Sequence, residues 1–457
     1  MTNSLRVLHL TPHLGGGVGS VIRGYLDFEK KNKNHNHKVA SLDVLNPESK
    51  KFLDLIGIEW EDECYFDKHS LDMLVSNSDV VLIHWWNHPL LQELLMNREL
   101  PESRIILWSH ISGNADPNSF SDYILNFPDK MVFTTPLSFA TGNHKQRSDV
   151  KANNTTFIWS TTGIEKLIEY KTSNENSANT QKVRIGYVGN LDYTKLHQNF
   201  FDVCKQISGP DISFTVIGPP TTQFNLDLKK YGQSLDLEAT GYIPEFQKFR
   251  LMSEFDILLY PLARNHYGTC DQVLQEAMAL GVVPVVLNNE MESYMITNRV
   301  DGLIANSIEE LVENLKELIA DKKLRETLGI NASTSSFKKY LISSMSESWN
   351  IEFSALMEKP KRVHATLASR FGRILEPNEV FMHSLSTYAG VFELHKNAVE
   401  PHQKQIWASQ ISCLSGSPKW SSPTKSSPSH FSFYFPADSL LKTWSELTSG
   451  KIKISMI

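Results

Sequence analysis

Short apolar runs alternate with amphipathic stretches along most of this chain. LRVLHLTP (Leu5 to Pro12) is an apolar run that ends in turn residues and predicts a buried strand. GGGVGSVIRGYLDFEKK then reads as a glycine loop opening a helix. HKVASLDV predicts a second strand and ESKKFLDLIG a second helix. DVVLIHWW (Asp79 to Trp86), RIILWSH (Arg104 to His110), KMVFTTP and TTFIWSTTG continue the strands. Alternation of this kind predicts a parallel sheet covered by helices on both faces.

The pattern stops at EYKTSNENSANTQK (169–182), which is polar, lacks periodicity and reads as a linker. It restarts with VRIGYVGN as a strand, KLHQNFFDVCKQI as a helix and ISFTVIGPP as a strand. PEFQKFRLMSEF predicts a helix, and DILLYPL and VVPVVLNN predict strands on either side of a short helix in TCDQVLQEAMALG. SIEELVENLKELIADKKLRETLG predicts one long amphipathic helix. The chain thus predicts two α/β halves, at 1–168 and 183–335, followed by a crossing helix at 336–359. The region from 360 to 457 differs. It is rich in Ser and Pro yet holds Trp407, Trp420, Phe431, Phe433, Tyr434 and Phe435. It reads as an ordered loop segment or an anchored linker, because disorder is usually aromatic-poor. Aromatics in that number predict packing on the first half or on a partner chain.

Composition narrows the function. At 457 residues the chain exceeds one core, and its net charge of −6 argues against a nucleic-acid partner. The four cysteines form no CxxC pair, so neither a zinc ribbon nor a disulfide framework is expected. No apolar run approaches the ~18 residues of a membrane span, and the expected location is the cytoplasm. The basic run KKNKNHNHK (Lys30 to Lys38) reads as a solvated turn, with peripheral contact with an anionic membrane as the alternative.

Several stretches carry candidate chemistry. In YGTCDQVLQEAMALGVVPVV, Thr269 and Gln272 fit a capping box, and Gly281 fits the left-handed C′ position. The helix start at Thr269, Cys270, Asp271 and Gln272 would lie at the carboxyl edge of the sheet, where ligands bind. A helix N-terminus there suits a phosphate. Glu276 sits one turn inside, where it either faces solvent or accepts hydrogen bonds from a ribose diol. Lys195 stands six residues after a strand-ending Gly189, as a phosphate partner or a solvated lysine. Gly15, Gly17 and Gly19, in a turn that also holds Gly16, permit close backbone approach to a ligand. Gly17 has Ser20 three residues on, so the G-x-G-x-x-G spacing fails, yet Asp43 lies where a dinucleotide fold keeps its ribose acid. That leaves a nicotinamide or flavin oxidoreductase as a rival. His84 and His88 are four apart but follow a strand, with no HExxH, so no metal site is expected. Trp85 and Trp86 suit either core packing or stacking on a sugar ring, and His110 either a polar contact to an acceptor or a satisfied structural role.

Two such halves, the glycine loop, GNLDYTK and QEAMALGVVPVV followed by DGLIA together resemble the retaining GT-B glycosyltransferases of family 4. The likeness spans roughly residues 5 to 350. The resemblance implies two Rossmann-like domains facing across a cleft, with the last hundred residues as an extension. It implies a nucleoside diphosphate sugar as donor, no cofactor or metal, and a carbohydrate or lipid-linked acceptor. By resemblance Glu276 binds the ribose, Lys195 the diphosphate, and Gly15 to Gly17 lie beside the donor phosphates. His110 matches a histidine beside the reacting sugar, and Tyr242 in TGYIP lies near the base. The family carries a first glutamate eight positions before Glu276 and an arginine on the diphosphate. Here those positions are Gly268 and Asn190. A degenerate GT-B binding protein is therefore a second rival.

Overall fold

The computed structural model describes residues 4–140, 154–171, 182–264, 266 and 268–451. Most of the expected linker (172–181) lies outside them. The chain forms two compact units, Met1–Ile158 with Ser346–Ile457, and Trp159–Met345.

The first unit is built on the strands β1 (Arg6–Thr11), β2 (Asn36–Ser41), β3 (Glu59–Glu61), β4 (Val80–Trp85), β5 (Ile105–Ser109), β6 (Asn114–Ala115), β7 (Asn118–Ser119), β8 (Lys130–Phe133) and β9 (Thr155–Phe157). Seven of them form one sheet in the order β3-β2-β1-β4-β5-β8-β9, and β6 and β7 form a small hairpin. The seven are parallel throughout. Buried parallel strands are apolar on both faces, which is why their sequences read as continuous runs rather than alternations. One face of this sheet carries Leu8, Leu10, Val81, Ile83, Trp85, Ile105 and Leu107, all in one buried cluster. The other carries His9, His37 and His84, under the helices Gly16–Asn32 and Ile342–Met357. Period-2 geometry separates the two sets.

The second unit holds β10 (Val183–Val188), β11 (Ile212–Ile217), β12 (Leu237–Gly241), β13 (Ile257–Tyr260), β14 (Val283–Leu287) and β15 (Leu303–Ala305). They are parallel in the order β12-β11-β10-β13-β14-β15. In each unit the strand order reverses beside the first strand, between β1 and β4 and between β10 and β13. The carboxyl ends flanking that reversal form the crevice where such sheets bind ligands.

Several expected elements are corrected. The helix expected from Lys195 runs over Phe200–Ile207, leaving Lys195 in a loop. The amphipathic stretch from 307 is two helices, Ile308–Ala320 and Lys322–Lys339. Asp321 ends the first and caps the second through its side chain, which accepts from Leu324 N; an N-capping acid restarts a helix in a new direction. The crossing helix is interrupted at Tyr340, and only Ile342–Met357 continues. Beyond Lys359 the chain is neither loop nor linker. It forms short helices including Pro377–Ser384, Pro401–Ser412, Pro428–Tyr434 and Ser439–Thr448. The prolines sit at first-turn positions, where the missing N–H costs nothing. Seryl and aspartyl side chains cap the last two. The Ser/Pro richness is thus helix punctuation. Phe381, Phe392, Trp420, Phe431 and Trp444 from this region complete the cluster on the first sheet.

Candidate functional site

At the β10–β13 reversal two loops are tied together. Ala263 N donates to Lys195 O (2.7 Å) and His197 N to Pro261 O (2.8 Å). This pairing fixes Lys195, which is buried rather than solvated and donates to Asp271 Oδ1 at 3.0 Å. Its ammonium also lies 5.4 Å from the Tyr260 ring. Burial pushes the Asp271 carboxyl up, but the charges of Lys195 and His266 outweigh it and hold the pKa below the usual value. His266 stands 3.1 Å from Glu292 Oε1, both side chains buried. His266, Asp271 and Glu292 bring one ligand-type atom each within 4.8 Å of one another. A cation there would compete with Lys195 for Asp271.

The helix Gln272–Ala279 begins at this point, and its cap differs from the one expected. Asp271, not Thr269, is the N-cap, and it makes no side-chain cap bond because its carboxylate is turned to Lys195. Gln272 is consequently the first helical residue, and its amide spans Ser160 O (3.1 Å) and Thr162 N (3.0 Å). Gln275 donates to the same carbonyl at 2.9 Å, and Cys270 Sγ lies 3.4 Å from it. Burial raises the Cys270 thiol to about 12, so it stays protonated. Gln272 and Cys270 thus brace the helix start; Thr269 is half-buried beside them. Gly281 follows the helix at φ +80°, as its C′ position demands.

Glu276 does not face solvent. It is 4% exposed and ion-paired to Lys248, at 2.9 Å from one carboxylate oxygen and 2.7 Å from the other. Burial raises its pKa and Lys248 partly offsets this. Sequence reasoning missed Lys248, His266 and Glu292. Lys248 lies on the amphipathic helix Glu245–Met252, where a lysine carries no distinguishing signal. Gly268 is tightly enclosed: a Cβ there would sit 2.7 Å from His266 Nδ1 and 3.0 Å from Asp271 Oδ2. Asn190 is exposed, and Tyr242 is 79% exposed.

In the first unit the β1 loop is held by Gly15 N donating to His13 Nδ1 (3.1 Å). Gly19 lies against Leu14 O, which an added Cβ would meet at 1.8 Å. Gly16 and Gly17 are different: they are exposed, with open space around the position of a Cβ. His110 follows β5 and is bonded to His84 (Nε2 to Nδ1, 3.0 Å). Burial lowers its pKa to about 3, so the ring is neutral. Trp85 is core, whereas Trp86 is only partly buried. Asp43 accepts from Tyr434 Oη at 2.6 Å, which occupies the carboxylate that a dinucleotide would need. The basic run is exposed from Lys30 to Lys33, where the first helix ends in a turn, and enters β2 only from Asn36. Lys30, Lys31 and Lys38 are bonded to Gly57, Asp27 and Glu61, and His37 is buried in β2.

Residues 169–335 match the family described as glycosyl transferases group 1. The matched stretch lies within the second unit. Among solved structures, HepE from Anabaena in complex with UDP is similar at TM-score 0.60 and 14% identity, over 77% of this chain and all of that one. A glycosyltransferase from Rickettsia africae is similar at 0.60 and 14%, over 78% and 100%. Sucrose-phosphate synthase from Thermosynechococcus elongatus is similar at 0.57 and 14%, over 77% and 99%. At these identities the likeness shows the fold, which is GT-B: two Rossmann-like parallel-sheet units, here with a helical C-terminal extension. No curated protein matches the chain. No helix among the described residues is long and apolar enough to cross a membrane.

Proposed function

We propose that this glycosyltransferase moves a sugar from a nucleoside diphosphate sugar to an acceptor hydroxyl with retention at the anomeric carbon. The observation that carries the reading is Lys195, buried at the β10–β13 reversal beside the start of the helix Gln272–Ala279, with Glu276 one turn further along. The acceptor oxygen bonds to the anomeric carbon as the carbon–oxygen bond to the diphosphate breaks. Negative charge then grows on the leaving group, where Lys195 and the helix N–H groups stabilise it. The leaving phosphate takes the acceptor proton. Lys195 must exchange Asp271 for phosphate, and Glu276 must share its oxygens between Lys248 and the ribose hydroxyls. The reading uses no divalent metal, because lysine and helix dipole supply the charge. In this reading the exposed Asn190 and Tyr242 take the diphosphate and the base, Gly15 to Gly17 lie beside the donor phosphates, and His110 lies beside the reacting sugar.

Gly268 carries no acid, but Asp271 places a carboxylate 3.0 Å from where a side chain at 268 would begin. We assign it the sugar contact that position 268 cannot make. The neighbour HepE has been seen with UDP and with UDP-glucose, so UDP-sugars head the donor candidates. The acceptor belongs to polysaccharide or glycolipid synthesis in this reading, and the location is cytoplasmic. Lys30, Lys31 and Lys33 are exposed, and in this reading they supply the charge for a peripheral contact with an anionic membrane.

The test is a screen of UDP- and GDP-sugars read by released nucleoside diphosphate, with and without chelator. Turnover that survives chelation, with a product of unchanged anomeric configuration, is expected. Donor binding without turnover would mean a degenerate binding protein, and a thermal shift with NADH alone an oxidoreductase. Loss on chelation, restored by Mg²⁺, would overturn the metal-free reading.

A further inference from the structure

Three loops at the carboxyl edge of the first sheet are each tied to the C-terminal extension by a side chain. After β2, Asp43 accepts from Tyr434 Oη at 2.6 Å. After β4, the fully buried Asn87 donates to Ser384 O at 3.4 Å and to Ser119 O of β7 at 2.9 Å. After β5, Asp116 in the β6–β7 turn accepts from Ser386 N at 2.9 Å and from Thr387 N and Tyr388 N at 2.8 Å. Loops at this edge of an open α/β sheet form its ligand crevice. The extension therefore holds the crevice of the first unit as well as covering its sheet.

It also lends that crevice two side chains. His430 and Tyr434, on the helix Pro428–Tyr434, each stand with the ring centroid 4.9 Å from that of His88 in the loop after β4. His13 lies 5.7 Å from His88, and Trp86 lies 5.2 Å from His13. His88 is 1% exposed, and neither of its nitrogens has a hydrogen-bond partner among the described residues. Trp86, His13 and Tyr434 are only partly buried. Burial lowers the pKa of all three imidazoles, that of His430 to about 3, so the rings are neutral. The fixed charges that bear on them are one of each sign, Asp43 on His13 and Lys425 on His430.

This set of groups matches an uncharged polyol. A neutral imidazole donates from one nitrogen and accepts at the other, as a hydroxyl both donates and accepts. Indole and phenol rings offer apolar surface to the C–H face of a sugar while keeping a polar tip. An anion calls for an excess of cationic donors, and here Lys425 is matched by Asp43. A buried imidazole without a partner forgoes the hydrogen bonds it makes in water, which a ligand hydroxyl restores. We propose that this crevice binds a neutral saccharide, with Trp86 against the sugar ring and His88, His430 and Tyr434 toward its hydroxyls, and that the extension thereby selects the acceptor. His430 and Tyr434 cover His88, so these two side chains decide which hydroxyl reaches it. The Trp86 ring is 6.4 Å from that of His110, which the transferase reading sets beside the reacting sugar.

The acceptor role rests on the glycosyltransferase reading; the saccharide site does not, and the experiment keeps them apart. The full-length chain labelled with fluorotryptophan is titrated with maltose, lactose and N-acetylchitobiose, and in parallel with glucuronic acid and sialyllactose. Trp86→Phe identifies the fluorine signal of Trp86. The neutral disaccharides should move that signal saturably, and the acidic sugars should not. Tyr434→Phe and His430→Gln should each weaken the response about fivefold, as loss of one hydrogen bond does. No response to any neutral sugar, or an equal or stronger response to the acidic ones, overturns the site in the wild type whether or not a variant folds. Unchanged affinity in both variants takes the extension out of it. Nucleoside diphosphate released from UDP-glucose is measured on the same samples. Turnover without a Trp86 response overturns the site alone, and a Trp86 response without turnover counts against the transferase reading alone.

Discussion

Glu276 shows how much one residue's environment adds to its identity. Its carboxylate is buried on the helix Gln272–Ala279 and already held by Lys248. Exchanging it for a neutral amide of the same shape removes charge from both the Lys248 bond and the proposed ribose bonds. Glu276→Gln is therefore expected to weaken nucleoside diphosphate binding by about 1–3 kcal/mol, measured by titration calorimetry with UDP and GDP. Unchanged affinity for both would take Glu276 out of the binding site. Lys248 belongs to the same prediction: Lys248→Met leaves a buried carboxylate unpaired, and a buried acid without its partner gains a raised pKa and a poorer claim on any ligand.

At the level of elements, the glycine loop before the helix Gly16–Asn32 separates packing from function. Gly19 has no room for a side chain, since its Cβ would meet Leu14 O at 1.8 Å, whereas nothing lies within 4 Å of a Cβ on Gly17. Gly17→Ala should leave the melting temperature unchanged or slightly raised, because alanine is the better helix former by up to ~1 kcal/mol. It should nevertheless slow turnover by blocking the backbone approach of a ligand. Full activity in a normally folded Gly17→Ala protein would remove the loop from the site. The junction into the C-terminal extension is a second case. Asp129 receives Ile105 N at 2.8 Å and is ion-paired to Arg362 and His364. Burial would raise its pKa, but His364, the Ile105 amide and Arg362 lower it to about 2 from 3.8. A depressed folded pKa contributes stability above the unfolded value and loses it as pH falls toward the folded one. Stability should thus fall between about pH 4 and pH 2 in the wild type, and Asp129→Asn should be less stable at neutral pH with a shallower acid limb. Denaturant midpoints across that range decide it; parallel curves for the two proteins would contradict the assignment.

For the whole molecule, the extension is a structural half of the first unit's core rather than an appendage. Leu375, Phe381, Phe392, Phe431, Trp444 and Leu447 share one cluster with Leu8, Leu10, Val81 and Ile83 of the sheet. A chain ended after Lys359 would bare that face, and apolar surface on this scale drives aggregation. It should be insoluble or readily cleaved in limited proteolysis; a soluble, protease-resistant and active product would show the extension to be dispensable. The two α/β halves are legible in the order of residues alone, because buried parallel strands and amphipathic helices write their periods into hydrophobicity. It also carried the motif around Glu276 and Lys195, and a histidine inside or at the end of each of four apolar runs. It could not show that those histidines join, since strand order and register decide which side chains meet and neither is local. It could not show that Lys195 and Asp271, or Lys248 and Glu276, are partners, being 76 and 28 positions apart. The extension was misread as loop for the same reason: its aromatics have little periodicity of their own, and only the sheet they cover makes them a core.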